Sequence, residues 1–177
     1  MNETNPYIDS ACAEIKKKVK EICTYCEALI NIVNKKLDDD PMRIICINTA
    51  SIFLMGYNEN KLADKVVDKT NLYWKHIIER NESFFIEKAD KIFGEIPVKV
   101  GLFSDLFAKN ALNEKQKDKL WILFEELIPL SCIYIHEMRT PIKKNVDGKY
   151  IGTYEKNYRN EIKIKEYVQK YKVALRF

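Results

Sequence analysis

Apolar side chains recur along the first part of the chain at a helical interval. Ile8, Cys12, Ile15, Val19, Ile22, Cys26, Leu29 and Val33 are separated by 4, 3, 4, 3, 4, 3 and 4 residues. This unbroken alternation spans more than three heptads and predicts one helix from about Tyr7 to Leu37. The faces between are polar, with Lys16, Lys17, Lys18, Lys20, Glu21 and Glu27. In a chain rich in other helices, bundle packing is the expected use of such a stripe.

Asp38-Asp39-Asp40-Pro41 ends that helix and opens the next. Carboxylates suit a helix N-terminus, and proline is tolerated in its first turn. The segment from Met42 to Met55 is apolar on nearly every side and predicts the central, buried helix of the fold, with Gly56 as its C-cap. An amphipathic helix is expected from Glu59 to about Arg80, with Leu62, Val66, Leu72 or Tyr73, and Ile77 inward. After a break at Asn81-Glu82-Ser83, a short helix is expected over Phe84 to Phe93, and another from Leu102 to Asn110. Asn113 caps a long helix that turns Leu120, Trp121, Phe124, Leu127 and Ile128 inward. Pro129 should kink or break it, at a cost of about 3 kcal/mol. Beyond Thr140-Pro141, the turn signal Val146-Asp147-Gly148-Lys149 between Ile142 and Tyr150-Ile151 predicts a short β-hairpin. An amphipathic helix is expected from Tyr154 to about Leu175. The fold class is therefore all-α: a multi-helix bundle over residues 1–138, with a basic C-terminal segment over 139–177 packed on the same domain.

Composition agrees with this reading. The 177 residues include only 5 Gly and 5 Pro, too few for a sandwich or barrel of many short strands. The longest charge-free run, Ile44 to Asn58, is too short to cross a bilayer. The N-terminal residues lack the basic and apolar regions of a secretory signal. Five cysteines, an odd number on helical patterns, point to free thiols in a reducing, cytoplasmic setting.

Charge is unevenly spread. Residues 139–177 carry eleven Lys or Arg against four Asp or Glu, a net of +7, and residues 1–138 carry a net of −3. Half of the ten tyrosines also lie in the tail. Cations interleaved with aromatic rings suit nucleic acid, with Lys143, Lys144, Lys163 and Lys165 as the phosphate-binding candidates. They equally suit an acidic protein partner, contacted through Tyr150, Tyr154 and Tyr158. A purely structural reading gives the rings to a buried helix face and the lysines to solvent. Within the bundle, Phe84, Phe85 and Trp121 are candidate contact residues, because Phe84-Phe85-Ile86 cannot all point one way from a helix.

Chemistry-bearing patterns are faint. Cys23-x-x-Cys26 and Cys132-x-x-x-His136 each place two ligands on one helix face, and together could surround a tetrahedral Zn²⁺. Buried, inert thiols are the simpler reading, since Cys26 occupies the apolar stripe. His76 and His136 have no orienting partner at a recognisable spacing, and no Glu-x-x-His occurs. Phosphate-loop, dinucleotide and nucleophile-elbow signatures are missing. The expectation is a non-enzymatic interaction or structural protein without a cofactor, acting on a protein partner or a second copy. Nucleic-acid binding and a helical or zinc-stabilised enzyme are the alternatives.

One segment within residues 84–138 carries a resemblance. Ile96-Pro97, Leu102-Phe103 and Leu106-Phe107, then Asn113 and Leu120-Trp121-Ile122-Leu123-Phe124 with Leu127, resemble a pattern in small helical proteins of nucleocytoplasmic large DNA viruses. The resemblance implies a viral, virion-associated helical protein made in the host cytoplasm, and carries over no catalytic residue. Size and a central apolar helix also give a likeness to the helical Bcl-2-like fold, as a groove-binding analogy alone. The chain has no Asn-Trp-Gly-Arg-like motif and no apolar tail anchor.

Overall fold

A computed structural model of the chain describes residues 6–93, 106–107, 111–139, 142–144 and 150–152. These residues form an all-α bundle. The helices are α1 (Pro6–Lys36), α2 (Pro41–Met55), α3 (Glu59–Thr70), α4 (Trp74–Ile78), α5 (Glu82–Phe93) and α6 (Glu114–Arg139). A short antiparallel hairpin pairs β1 (Ile142–Lys144) with β2 (Tyr150–Gly152), in the register Ile142 to Gly152. The expected helix over 154–175 lies outside the described residues.

The predicted stripe of α1 is the spine of the bundle. Cys12, Ile15, Val19, Ile22, Cys26, Leu29 and Val33 are all buried, and Ile8 packs against the same core. Each fully buried Ile or Leu contributes about 1.5–3 kcal/mol. α1 packs on α2, α3 and α6, and α6 also reaches α3 and α4. The inward residues expected of α6, from Leu120 to Ile128, are buried as well.

Local chemistry sets the helix ends. Asp40 caps α2 by accepting from the Met42 N–H at 2.9 Å, with Pro41 in the first turn. Asn58 caps α3 by accepting from the Lys61 N–H at 2.8 Å. Before α6, Asn113 and Gln116 form a reciprocal capping box: each side-chain oxygen accepts from the other's backbone N–H at 2.9 Å. After α4, Arg80 sits in the left-handed region with φ of 50°, an unfavourable place for a side chain with a Cβ. Its guanidinium is paired with Glu125 and Asp118 of α6, which ties the turn to the spine.

Three expectations are corrected. The helix expected from Glu59 to Arg80 is broken by a 3₁₀ turn at Asn71–Tyr73. The Thr70 hydroxyl donates back to the Val66 carbonyl at 2.7 Å and accepts from the Trp74 indole at 3.1 Å. Back-bonding of this kind bends helices and here sets the corner. Second, α6 runs through Pro129 without a break. Buried Leu127 and Ile128 before it, and Cys132 and Tyr134 after it, hold both halves on the core, which outweighs the proline penalty.

Third, α2 is not the central helix. It is peripheral, with only Arg43, Ile47 and Ala50 buried, while Met42, Ile45 and Ile52 are 51%, 53% and 75% exposed. Its hydrophobicity is nearly uniform around the axis, so apolar burial alone does not choose a face. Arg43 chooses it. The guanidinium is 6% exposed and donates to Asn34 Oδ1 at 3.2 Å and to the Asp38 carbonyl at 2.9 Å. It also pairs with the Asp38 carboxylate at 3.0 Å. Asn34 in turn donates to the Asp40 carbonyl at 3.0 Å. A buried cation without these partners would cost several kcal/mol, so the network fixes the rotation of α2 about its axis.

Arg43→Met keeps the aliphatic stem but removes the donors, leaving Asn34 Oδ1 buried and unsatisfied. The expected loss is about 1–3 kcal/mol in urea unfolding. An unfolding midpoint unchanged from the parent chain would contradict the anchoring role.

Candidate functional site

Fixing the rotation of α2 creates two features. On its inner side, α2 borders a cavity of about 160 Å³ whose lining it shares with α1 and α3. The floor is apolar, with Ile22, Cys26 and Leu62 among its residues, and aromatic walls come from Phe53, Tyr73 and Trp74. Ala50, the small buried residue of α2, faces this space.

The cavity is bordered by cations. α3 carries Lys61, Lys65 and Lys69 at intervals of four, one stripe along the helix. Lys65 and Lys69 line the cavity itself. The ammonium groups of Lys61 and Lys65 lie 5.2 and 5.5 Å from the centre of the Tyr57 ring, a cation–π arrangement. Lys16 of α1 donates to the Tyr57 carbonyl at 3.0 Å. No Asp or Glu is found among the described lining residues. The nearby Asp64 accepts a hydrogen bond from the Tyr134 hydroxyl.

On its outer side, α2 presents Ile45 and Ile52 seven residues apart, with Asn48 and Thr49 between them and Met42 at the edge. Thr49 satisfies its hydroxyl internally, donating to the Ile45 carbonyl at 2.7 Å. Leu37, just after α1, is also exposed. Between Ile44 and Asn58 there is no charged residue.

Of the residues singled out from the sequence, Cys23, Cys26 and Phe85 line the cavity. Phe85 and Trp121 are each 3% exposed and belong to the core, where their rings meet edge-on at 5.4 Å between centroids. At that exposure the two rings offer little surface to a protein partner. Phe84 is half-buried and stacks on His76, with ring centres 3.6 Å apart. His76 also makes a long contact to Asn81 at 3.5 Å. Tyr154, Tyr158, Lys163 and Lys165 lie outside the described residues, as do the side chains of Tyr150, Lys143, Lys144 and His136.

Cys23, Cys26 and Cys132 are buried, and among the described residues no three His, Cys, Asp or Glu are grouped to hold a metal ion. Burial pushes the thiols of Cys12 and Cys23 up to about 11 and that of Cys132 up to about 12, and raises Cys26 further. They are protonated near neutral pH, and a protonated thiol is a poor nucleophile. Cys46 is the half-exposed exception.

The sequence reading missed Ile45, Ile52, Lys65 and Lys69. The spacing of the two lysines was visible, but their place at a cavity depends on the orientation of α2. Comparison with known proteins gives no match to a family model, to a curated protein or to a solved structure.

An aromatic disulfide reagent should modify Cys46 alone in the folded chain, and the other four thiols only after denaturation. Rapid native-state reaction of two or more thiols would contradict the burial described.

Proposed function

We propose that the protein is a non-enzymatic helical interaction protein that pairs with a second copy of itself through the outer face of α2. The observation that carries this reading is the exposed apolar face centred on Ile45 and Ile52. Large side chains exposed together on one helix face mark contact surfaces in soluble proteins. A second copy is the favoured occupant because the face carries no charge: identical faces meet without repulsion, and a charged partner has nothing to grip. The face is also suited to two-fold symmetry. An axis between Asn48 and Thr49 brings Ile45 of each copy against Ile52 of the other in an antiparallel helix pair. The resemblance of residues 84–138 to small helical proteins of large DNA viruses extends the reading to a virion-associated structural role, where weak symmetric contacts are repeated.

Sedimentation velocity over a concentration series tests this directly. The parent chain is expected to form a dimer that dissociates on dilution. Ile45→Glu and Ile52→Glu, at exposed positions and so compatible with folding, are each expected to weaken it by about tenfold or more, equivalent to about 1.4 kcal/mol. A strictly monomeric parent chain, or a dimer indifferent to both substitutions, would overturn the proposal.

A further inference from the structure

We propose that the cavity bordered by α2 is a binding site for a small neutral aromatic molecule, a single ring with a short alkyl substituent. Size is the first argument. The cavity measures about 160 Å³, close to an apolar protein cavity of about 150 Å³ that takes up benzene. Lining is the second argument. All six helices contribute to it, so the site is assembled by the whole bundle. Ile22, Ile47, Leu62 and Ile128 give hydrocarbon walls, whose side chains offer a sugar or a nucleotide nothing to hydrogen-bond. Ligand pockets are usually lined in this way, by apolar and aromatic side chains.

The state of the polar groups is the third argument, and it selects a ligand without charge. The Trp74 indole N–H donates to the Thr70 hydroxyl at 3.1 Å, and that hydroxyl donates to the Val66 carbonyl at 2.7 Å. Both donors are thus already used within the protein. Lys65 lies over the Tyr57 ring, and Lys65 and Lys69 both have partners in the protein, so neither sets the sign of a ligand. A charged or strongly polar ligand would give up its hydration here for little return. Ring-bearing walls are the fourth argument and favour an aromatic ligand over an aliphatic one. Phe53, Tyr73, Trp74, Phe85 and Phe124 all line the space. Aromatic rings meet edge-to-face or offset, and gain more from such contacts than from the area they bury.

α2 lines the site with Ile47, Ala50, Phe53 and Leu54, distinct from the exposed Ile45 and Ile52, so this proposal does not rest on self-association. NMR of the full chain with labelled isoleucine methyls tests it, with toluene, cyclohexane, phenol, benzoate and benzylamine as probes. Toluene is expected to bind saturably with a submillimolar dissociation constant. It should shift the methyl signals of Ile22, Ile47, Ile77 and Ile128 and leave those of Ile45 and Ile52 in place. Cyclohexane and phenol are expected to bind about tenfold more weakly, and benzoate and benzylamine more weakly still. Ala50→Leu, which places a larger side chain at the cavity, is expected to abolish toluene binding, with a cooperative urea transition as the check on its fold. The ranking of probes on the parent chain decides the matter even where that variant fails to fold. No saturable toluene shift up to its solubility limit, or phenol, benzoate or cyclohexane binding as tightly as toluene, would overturn the proposal. So would undiminished toluene binding by folded Ala50→Leu.

Discussion

Burial of the stripe from Cys12 to Val33 along one side of a helix of 31 residues constrains everything else in the molecule. A helix of that length with a continuous apolar seam needs partners along its whole extent, because exposed stretches of seam gain nothing from folding. α6, α3 and α2 supply them. α6 packs along α1 and continues through Pro129, with buried residues on either side of the proline. Ion pairs at the edges hold the alignment: Lys18 of α1 reaches Glu126 at 2.7 Å, and Arg80 joins the α4 turn to Glu125. Such partly exposed pairs contribute little energy individually, and their value lies in fixing which turns meet.

α2 is governed by a different force. Its apolar residues could satisfy either side of the helix, and hydrophobicity therefore leaves its rotation open. The buried guanidinium of Arg43 closes that freedom, since only one rotation lets it reach Asn34 and Asp38. The consequence is a helix that turns a small residue, Ala50, toward the core and large ones, Ile45 and Ile52, toward water. The cavity and the outer apolar face are thus two results of a single polar contact. Self-association would cover the outer face.

Much of the fold was legible from periodicity. The stripe of α1, the start of α2 at Asp40-Pro41, the cap at Asn113 and the hairpin near Gly148 each rest on local signals strong enough to survive tertiary packing. The errors share one cause. At Thr70, at Pro129 and around Arg43, the outcome depends on which distant side chains arrive, and no local pattern records that. The candidate site was less legible still. Phe85 and Trp121 drew attention as large aromatic residues, but large rings are also what a core is made from. Ile45 and Ile52 looked like core residues, and only the position of Arg43 relative to Asn34 shows that they face outward.

The central claim is that α1 and α6 form the stable spine and that α2 is a peripheral helix held by one polar anchor. Native-state hydrogen exchange resolved by residue tests it most directly. Amides of α1 from Cys12 to Val33 and of α6 from Leu120 to Cys132 should exchange only through global unfolding, whereas those of α2 should open at a distinctly lower free energy. Finding the amides between Ile44 and Leu54 to be the slowest in the chain would restore α2 to the centre and contradict the account.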